Sequence, residues 1–198
     1  EVIGSGLLNG SGTAFSVGFN QAGTYYFRVS QTSPDSDAYS LTVTVSSTIT
    51  AEIESNDTPS SANTLTSGVA MSGQLFNSSD VDYFKITVGS SGTMEIRTSP
   101  YVSYTKIEVL NSSQEVIGSG FLNGISKTFS VGFNQAGTYY FKVSQTSGDS
   151  DYYNLTVTVS SAITAEIESN DTPSSANTLT SGVAMSGQLY SSSDVDYF

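Results

Sequence analysis

The sequence predicts an all-β protein, an antiparallel jelly-roll-like β-sandwich built from tandem 114-residue units. Three observations predict it. Apolar and polar residues alternate strictly over short stretches, which is the period of a half-buried strand and not of a helix. Those stretches are rich in β-branched and aromatic residues and are separated by Gly, Asn and Ser turns, the pattern of a sandwich. Finally, the chain repeats itself: Glu1-Val2-Ile3-Gly4-Ser5-Gly6 recurs at Glu115-Val116-Ile117-Gly118-Ser119-Gly120, and 72 of the 84 overlapping positions are identical. Exchanges such as Arg28 for Lys142 and Leu7 for Phe121 are mild, as expected of tandem duplication.

The frame of the repeat is set near residue 50. There Ser46-Ser47-Thr48-Ile49-Thr50 reads as a linker, leading into a turn at Ala51-Glu52-Ile53-Glu54-Ser55-Asn56-Asp57-Thr58-Pro59. Residues 51–161 then form one complete unit, residues 1–50 the C-terminal part of a preceding unit, and residues 162–198 the N-terminal part of a following one. The chain opens inside a unit, so its natural N-terminus is expected further upstream. Within the complete unit a helical turn is expected at most near Ser60-Ser61-Ala62-Asn63. Seven inward-facing sets follow: Phe84, Ile86 and Val88; Met94 and Ile96; Ile107 and Val109; Val116, after a turn at Asn111-Ser112-Ser113-Gln114; Phe129, Val131 and Phe133; Tyr139, Phe141 and Val143; and Tyr153, Leu155, Val157 and Val159, after a turn at Gly148-Asp149-Ser150-Asp151.

Composition narrows the function. Eighteen Asp and Glu face six Lys and Arg, a formal charge of −12, which disfavours nucleic acid and suits divalent cations or basic surfaces, or serves solubility through self-repulsion. The chain holds no Cys, His or Trp. Without an imidazole or thiol the usual nucleophile–base pairs and zinc sets cannot be assembled, so the reading is of a non-enzyme. No apolar run has the length of a membrane span, so no membrane insertion is expected.

The acidic residues are grouped. Glu52, Glu54, Asn56 and Asp57 fall within six residues, and Asp80 and Asp82 share one side of a strand start. Brought together, five carboxylates repel, and a cation between them accounts for the grouping. The other reading makes Asn56 and Asp57 turn caps and the glutamates solvated linker charge. Outward tyrosines form a second candidate site: Tyr140 beside inward Tyr139, Tyr26 at the matching position of the preceding unit, and Tyr152 beside Tyr153. They read either as a ligand-binding platform or as packing on the outer face or against the next repeat.

Several segments in order resemble the bacterial pre-peptidase C-terminal (PPC) domain family, which is related to the collagen-binding domains of clostridial collagenases. They are Glu54-Ser55-Asn56-Asp57-Thr58, then Ser72-Gly73-Gln74-Leu75, Asp80-Val81-Asp82-Tyr83-Phe84, Ala136-Gly137-Thr138-Tyr139-Tyr140-Phe141-Lys142-Val143 and Tyr153-Asn154-Leu155-Thr156-Val157. Ser99-Pro100-Tyr101-Val102-Ser103-Tyr104 departs from the family, whose members often carry an Asp there. The resemblance implies calcium at Glu52, Glu54, Asn56, Asp57, Asp80 and Asp82, and at the matching Glu166, Glu168, Asn170, Asp171, Asp194 and Asp196. The expected function is an extracellular, calcium-stabilised structural or adhesive repeat module of a bacterial cell-surface fibre, filament or adhesin stalk, whose reach scales with repeat number. The alternative is a C-terminal accessory module of a secreted peptidase, serving secretion or substrate (collagen) binding. The expected partners are neighbouring repeats or identical chains, and an extracellular matrix or cell-surface protein.

Overall fold

A computed structural model describes residues 2–6, 14–31, 38–99, 101–125, 127–145 and 151–198. Its regular structure lies in the complete unit: β1 (Asn63–Thr64), β2 (Met71–Leu75), β3 (Val81–Val88), β4 (Gly92–Ser99), β5 (Tyr101–Leu110), β6 (Val116–Ile125), β7 (Thr128–Phe133), β8 (Gly137–Gln145) and β9 (Asp151–Ser160). A single 3₁₀ turn, Pro59–Ser61, stands where the helical turn was expected. Pro100 and residues 148–150 of the expected last turn lie outside the described residues.

The strands form two sheets that face one another, in the orders β1-β3-β8-β5-β6 and β2-β9-β4-β7. Within each sheet every strand pair is antiparallel except the short parallel pair of β1 with β3. Apart from the β5–β6 hairpin, consecutive strands from β2 onward change sheets, so each turn crosses the sandwich and draws both inner faces together. The core between them holds Phe84, Ile86, Ile107, Val109, Phe141 and Val143 from the five-stranded sheet. Met94, Ile96, Val131, Phe133, Tyr153, Leu155 and Val157 face them from the other. This is the inward set that alternation gave, except that Phe129 and Val159 pack against it only partly buried and that one position is corrected. Val116 is only half-buried, and Ile117 takes its place in the core. The cause is a register shift in the hairpin: Val109 pairs with Gly118 but Leu110 with Val116, so one residue of β6 bulges out and reverses the faces.

Flanking strands decide burial as much as sequence does. Phe27 matches Phe141, yet it is 57% exposed where Phe141 is fully buried. In the complete unit β8 lies between β3 and β5, which flank Phe141 on both sides.

Candidate metal centre

The acidic segment becomes a site because its backbone is tied down at three places. Glu52 N–H donates to the Ser72 carbonyl and Ser72 N–H to the Thr50 carbonyl, both at 2.8 Å, which lays residues 50–52 parallel to β2. The Asn63 side chain then clamps Ile53, accepting from its N–H at 3.0 Å and donating to its carbonyl at 3.1 Å. Tyr83 N–H donates to the Asn56 carbonyl at 2.9 Å, pinning the segment to the start of β3. The peptide bond between Glu54 and Ser55 is cis, as is that between Glu168 and Ser169.

The result is a convergence of Glu52, Glu54 and Asp82, each with a carboxylate oxygen within 4.8 Å of the others. Asp82 occupies the core-facing row of β3, in line with Phe84 and Ile86, and is fully buried; Asn56 is fully buried as well. Donors surround the group. Gln74 N–H bonds Glu52 Oε1, Asn56 Nδ2 bonds Glu52 Oε2 at 3.3 Å, and Asn56 N–H bonds Glu54 Oε2 at 3.1 Å. The Tyr153 hydroxyl donates to Asp82 Oδ2. Among the described residues, the ion pairs are those of Glu108 with Lys106 and Lys142, away from this group.

Burial without a cation makes ionisation costly. The Glu52 carboxyl is pushed up to about 8, chiefly by burial and further by the Glu54 charge. Asp82 is raised well above the carboxylate range, first by burial and then by Glu52. Two buried oxygens, Asn56 Oδ1 and Asp82 Oδ1, have no hydrogen-bond partner. Such an acceptor costs about 1–3 kcal/mol when nothing meets it. An all-oxygen set of carboxylates and an amide fits a hard divalent cation and lacks the soft ligands that favour zinc or copper.

The following segment repeats the arrangement. Glu166, Glu168 and Asp196 bring oxygens within 4.8 Å of one another, with Glu166 buried and the other two half-buried. Asn170 is fully buried, and both polar atoms of its side chain lack a partner, as do Asp194 Oδ1 and Asp196 Oδ1. Burial raises Glu166, with Asp196 adding to it, and takes Glu168 up to about 7.

Asp57 and Asp80 lie outside the three-carboxylate group. Asp80 Oδ2 accepts from Phe76 N–H at 2.6 Å, closing the turn before β3, and burial followed by the Asp57 charge raises its carboxyl. Asp57 is exposed. Asp194 repeats the cap on Tyr190 N–H at 2.7 Å, while Asp171 accepts from the Ser169 hydroxyl at 2.5 Å. Sequence reasoning missed Tyr153 and Gln74 as members of the site. The readable signal for Tyr153 is Gly73, its register partner: a Cβ at Gly73 would fall 2.3 Å from Tyr153 Cζ, so the glycine makes room for the ring that carries the hydroxyl to Asp82.

Of the tyrosines, Tyr26 is 91% exposed. Tyr140 is half-buried, paired in register with Lys85 and Leu110. Tyr152 lies against the preceding repeat: its hydroxyl donates to the Ser5 carbonyl, and its ring centroid is 6.2 Å from that of Phe15.

Fold and site define a β-sandwich module with acidic oxygen clusters on the segments that join consecutive copies of its sequence. No protein-family model matches the chain. None of the curated proteins compared with it is similar in sequence. Solved structures do resemble it. The pre-peptidase C-terminal domain of a Bacillus anthracis collagenase aligns at 21% identity and a TM-score of 0.44, covering 48% of this chain and 93% of its own. PliG of Aeromonas hydrophila, a periplasmic inhibitor of g-type lysozyme, aligns at 17% identity and 0.43, covering 50% and 96%. The C-terminal CBM6 of LamC, a marine laminarinase from Zobellia galactanivorans, aligns at 22% identity and 0.25, covering 46% and 73%. Among the described residues no helix is long and apolar enough to cross a membrane.

Proposed function

We propose that this protein is a calcium-stabilised, extracellular structural or adhesive module, used in tandem to build a surface fibre, filament or adhesin stalk, and that it is not an enzyme. One observation carries the reading: buried and half-buried carboxylates converge with orphaned buried oxygens beside them, and they do so twice, where the two joining segments meet successive units. Glu52, Glu54, Asp82 and Asn56 would hold the ion in the first site, and Glu166, Glu168, Asp196 and Asn170 in the second. The ion supplies positive charge that lets these carboxylates ionise while buried. The chain's own residues do the positioning: Tyr153 engages Asp82 Oδ2 and leaves Oδ1 free for the ion, while Gln74 and Asn56 hold the two oxygens of Glu52 in place. Extracellular modules bind calcium at roughly 10⁻⁴–10⁻³ M, which suits a site three of whose four ligands come from a joining segment. The absence of His and Cys supports a non-catalytic role.

Calorimetric titration of calcium into the chelator-treated chain tests this. Saturable heat and a higher melting temperature are expected; neither heat nor a thermal shift at millimolar calcium overturns the reading.

A further inference from the structure

We propose that the acidic segments are shared β-strands, each of which fuses the four-stranded sheets of two successive units, so that a single hydrogen-bonded sheet runs through the array. The partner for the open edge of β7 is therefore the joining segment of the next copy of this unit.

At the downstream junction, Gly132 of β7 donates its N–H to the Glu166 carbonyl at 2.8 Å and pairs in parallel with Ile167. On its other side the same segment pairs in parallel with the following unit. Glu166 N–H donates to the Ser186 carbonyl at 2.8 Å, and Ser186 N–H donates to the Thr164 carbonyl at 2.9 Å. The order across the joint is thus β2-β9-β4-β7, then the joining segment, then the counterpart of β2 in the next unit. The upstream junction shows the same bonds 114 residues earlier: Gly18 N–H to the Glu52 carbonyl at 2.9 Å, Glu52 N–H to Ser72, and Ser72 N–H to Thr50. Two junctions formed from separate stretches of chain thus share one hydrogen-bond pattern.

The residues along the seam are matched to it. A Cβ at Gly132 would fall 2.3 Å from the Ala165 carbonyl oxygen and 2.5 Å from that of Glu166; at Gly18 it would fall 2.5 Å from the Ala51 oxygen and 2.4 Å from that of Glu52. Glycine is what lets the two backbones meet there. Ala51 and Ala165 are buried, and Thr164 N–H donates to Thr93 Oγ1 of β4 at 2.8 Å. Beside the upstream strand, Gln74 Nε2 donates to the Ser5 carbonyl at 2.8 Å and Tyr152 closes over the same residue. A free sheet edge is ordinarily blunted by charge, proline or a bulge. Here both edges of the four-stranded sheet are occupied by joining segments, and because opposite edges meet, the contact is head-to-tail and can repeat from one unit to the next.

The pairing uses backbone atoms only, so it stands whether or not the clusters bind calcium. Hydrogen exchange on the full chain tests it, together with spin labels at Ser113→Cys in the complete unit and Ser192→Cys in the following one; the chain has no other cysteine to label. In the parent, the Gly132 amide should be protected and the label distance narrowly distributed. In Gly132→Val, the amides at positions 132 and 164 should exchange roughly tenfold faster or more, as the loss of a hydrogen bond and its docking predicts, and the distance distribution should broaden. The Ser186 amide, which bonds a carbonyl of its own unit, should stay protected. Unchanged exchange and distance in Gly132→Val overturns the proposal. If that variant also loses protection at Phe141 and Val143, the unit itself has been damaged and the parent decides: an unprotected Gly132 amide or a broad label distance overturns the proposal there.

Discussion

Asp82 is a carboxylate in a place reserved for an apolar side chain. It shares the inward row of β3 with Phe84, Ile86 and Val88, and its neighbours across the sandwich include Tyr153. A position of that kind is kept for what the charge holds, since it weakens the metal-free fold. Asp82→Asn keeps an acceptor for Tyr153 and removes one repelling charge from Glu52. Calorimetry should show calcium affinity lower by roughly 10- to 100-fold or more, as for the loss of a ligand or its support, while the chelated variant melts no lower than the chelated parent. A lower melting temperature in chelator would mean that Asp82 serves packing instead. Tyr153→Phe is the complement. It removes a buried donor from a buried carboxylate and should cost about 1–3 kcal/mol in denaturant unfolding, with weaker calcium binding besides. The sequence marked Asp82 as one of the grouped acidic residues, but the role of Tyr153 was not legible there. Alternation marks Tyr153 as inward but is silent about its hydroxyl, whose partner lies 71 residues away.

At the scale of elements, legibility follows periodicity. Strands β3, β4, β7, β8 and β9 carry alternating faces, so their inward residues could be read directly. β2 could not: Gly73, Gln74 and Leu75 are all buried in succession, the first under the Tyr153 ring, the second against the preceding repeat, the third in the core. The bulge in β6 is invisible because it depends on how Leu110 finds its partner, not on composition. The same limit applies to the acidic segment. Its residues are conspicuous, but which three converge depends on the path set by Asn63 and Ser72, and Asp80 is diverted to its turn. Since the fold raises Glu52 from 4.5 to about 8, it binds protons that the unfolded chain has released. The stabilising contribution of that protonation is complete below about pH 4.5 and is lost as the pH rises through about 8, and Glu168, raised to about 7, acts in the same direction. The calcium-free chain should therefore melt at a lower temperature at pH 9 than at pH 6, as read by circular dichroism. A rise over that interval would show that the two glutamates are not buried as protonated acids.

For the whole molecule, the charge of −12 and the two clusters combine into one linkage. Calcium that binds only the folded state stabilises it by RT ln(1 + [L]/Kd), about 2.7 kcal/mol per site at a hundredfold excess. The clusters that gain this are the groups whose burial raises their carboxyls, so protons and calcium compete for the same oxygens. Added calcium should thus raise the melting temperature strongly at pH 9, less at pH 6, and not measurably near pH 4, where protons occupy the sites. Sodium chloride at matched ionic strength screens the net charge generally and should give a small shift that does not depend on the clusters. The comparison separates specific ions from diffuse ones. If calcium and sodium act alike at every pH, the carboxylates are no more than surface charge. If calcium alone acts, and more strongly as Glu52 and Glu168 give up their protons, the joining segments are where the chain converts an external ion into rigidity between units.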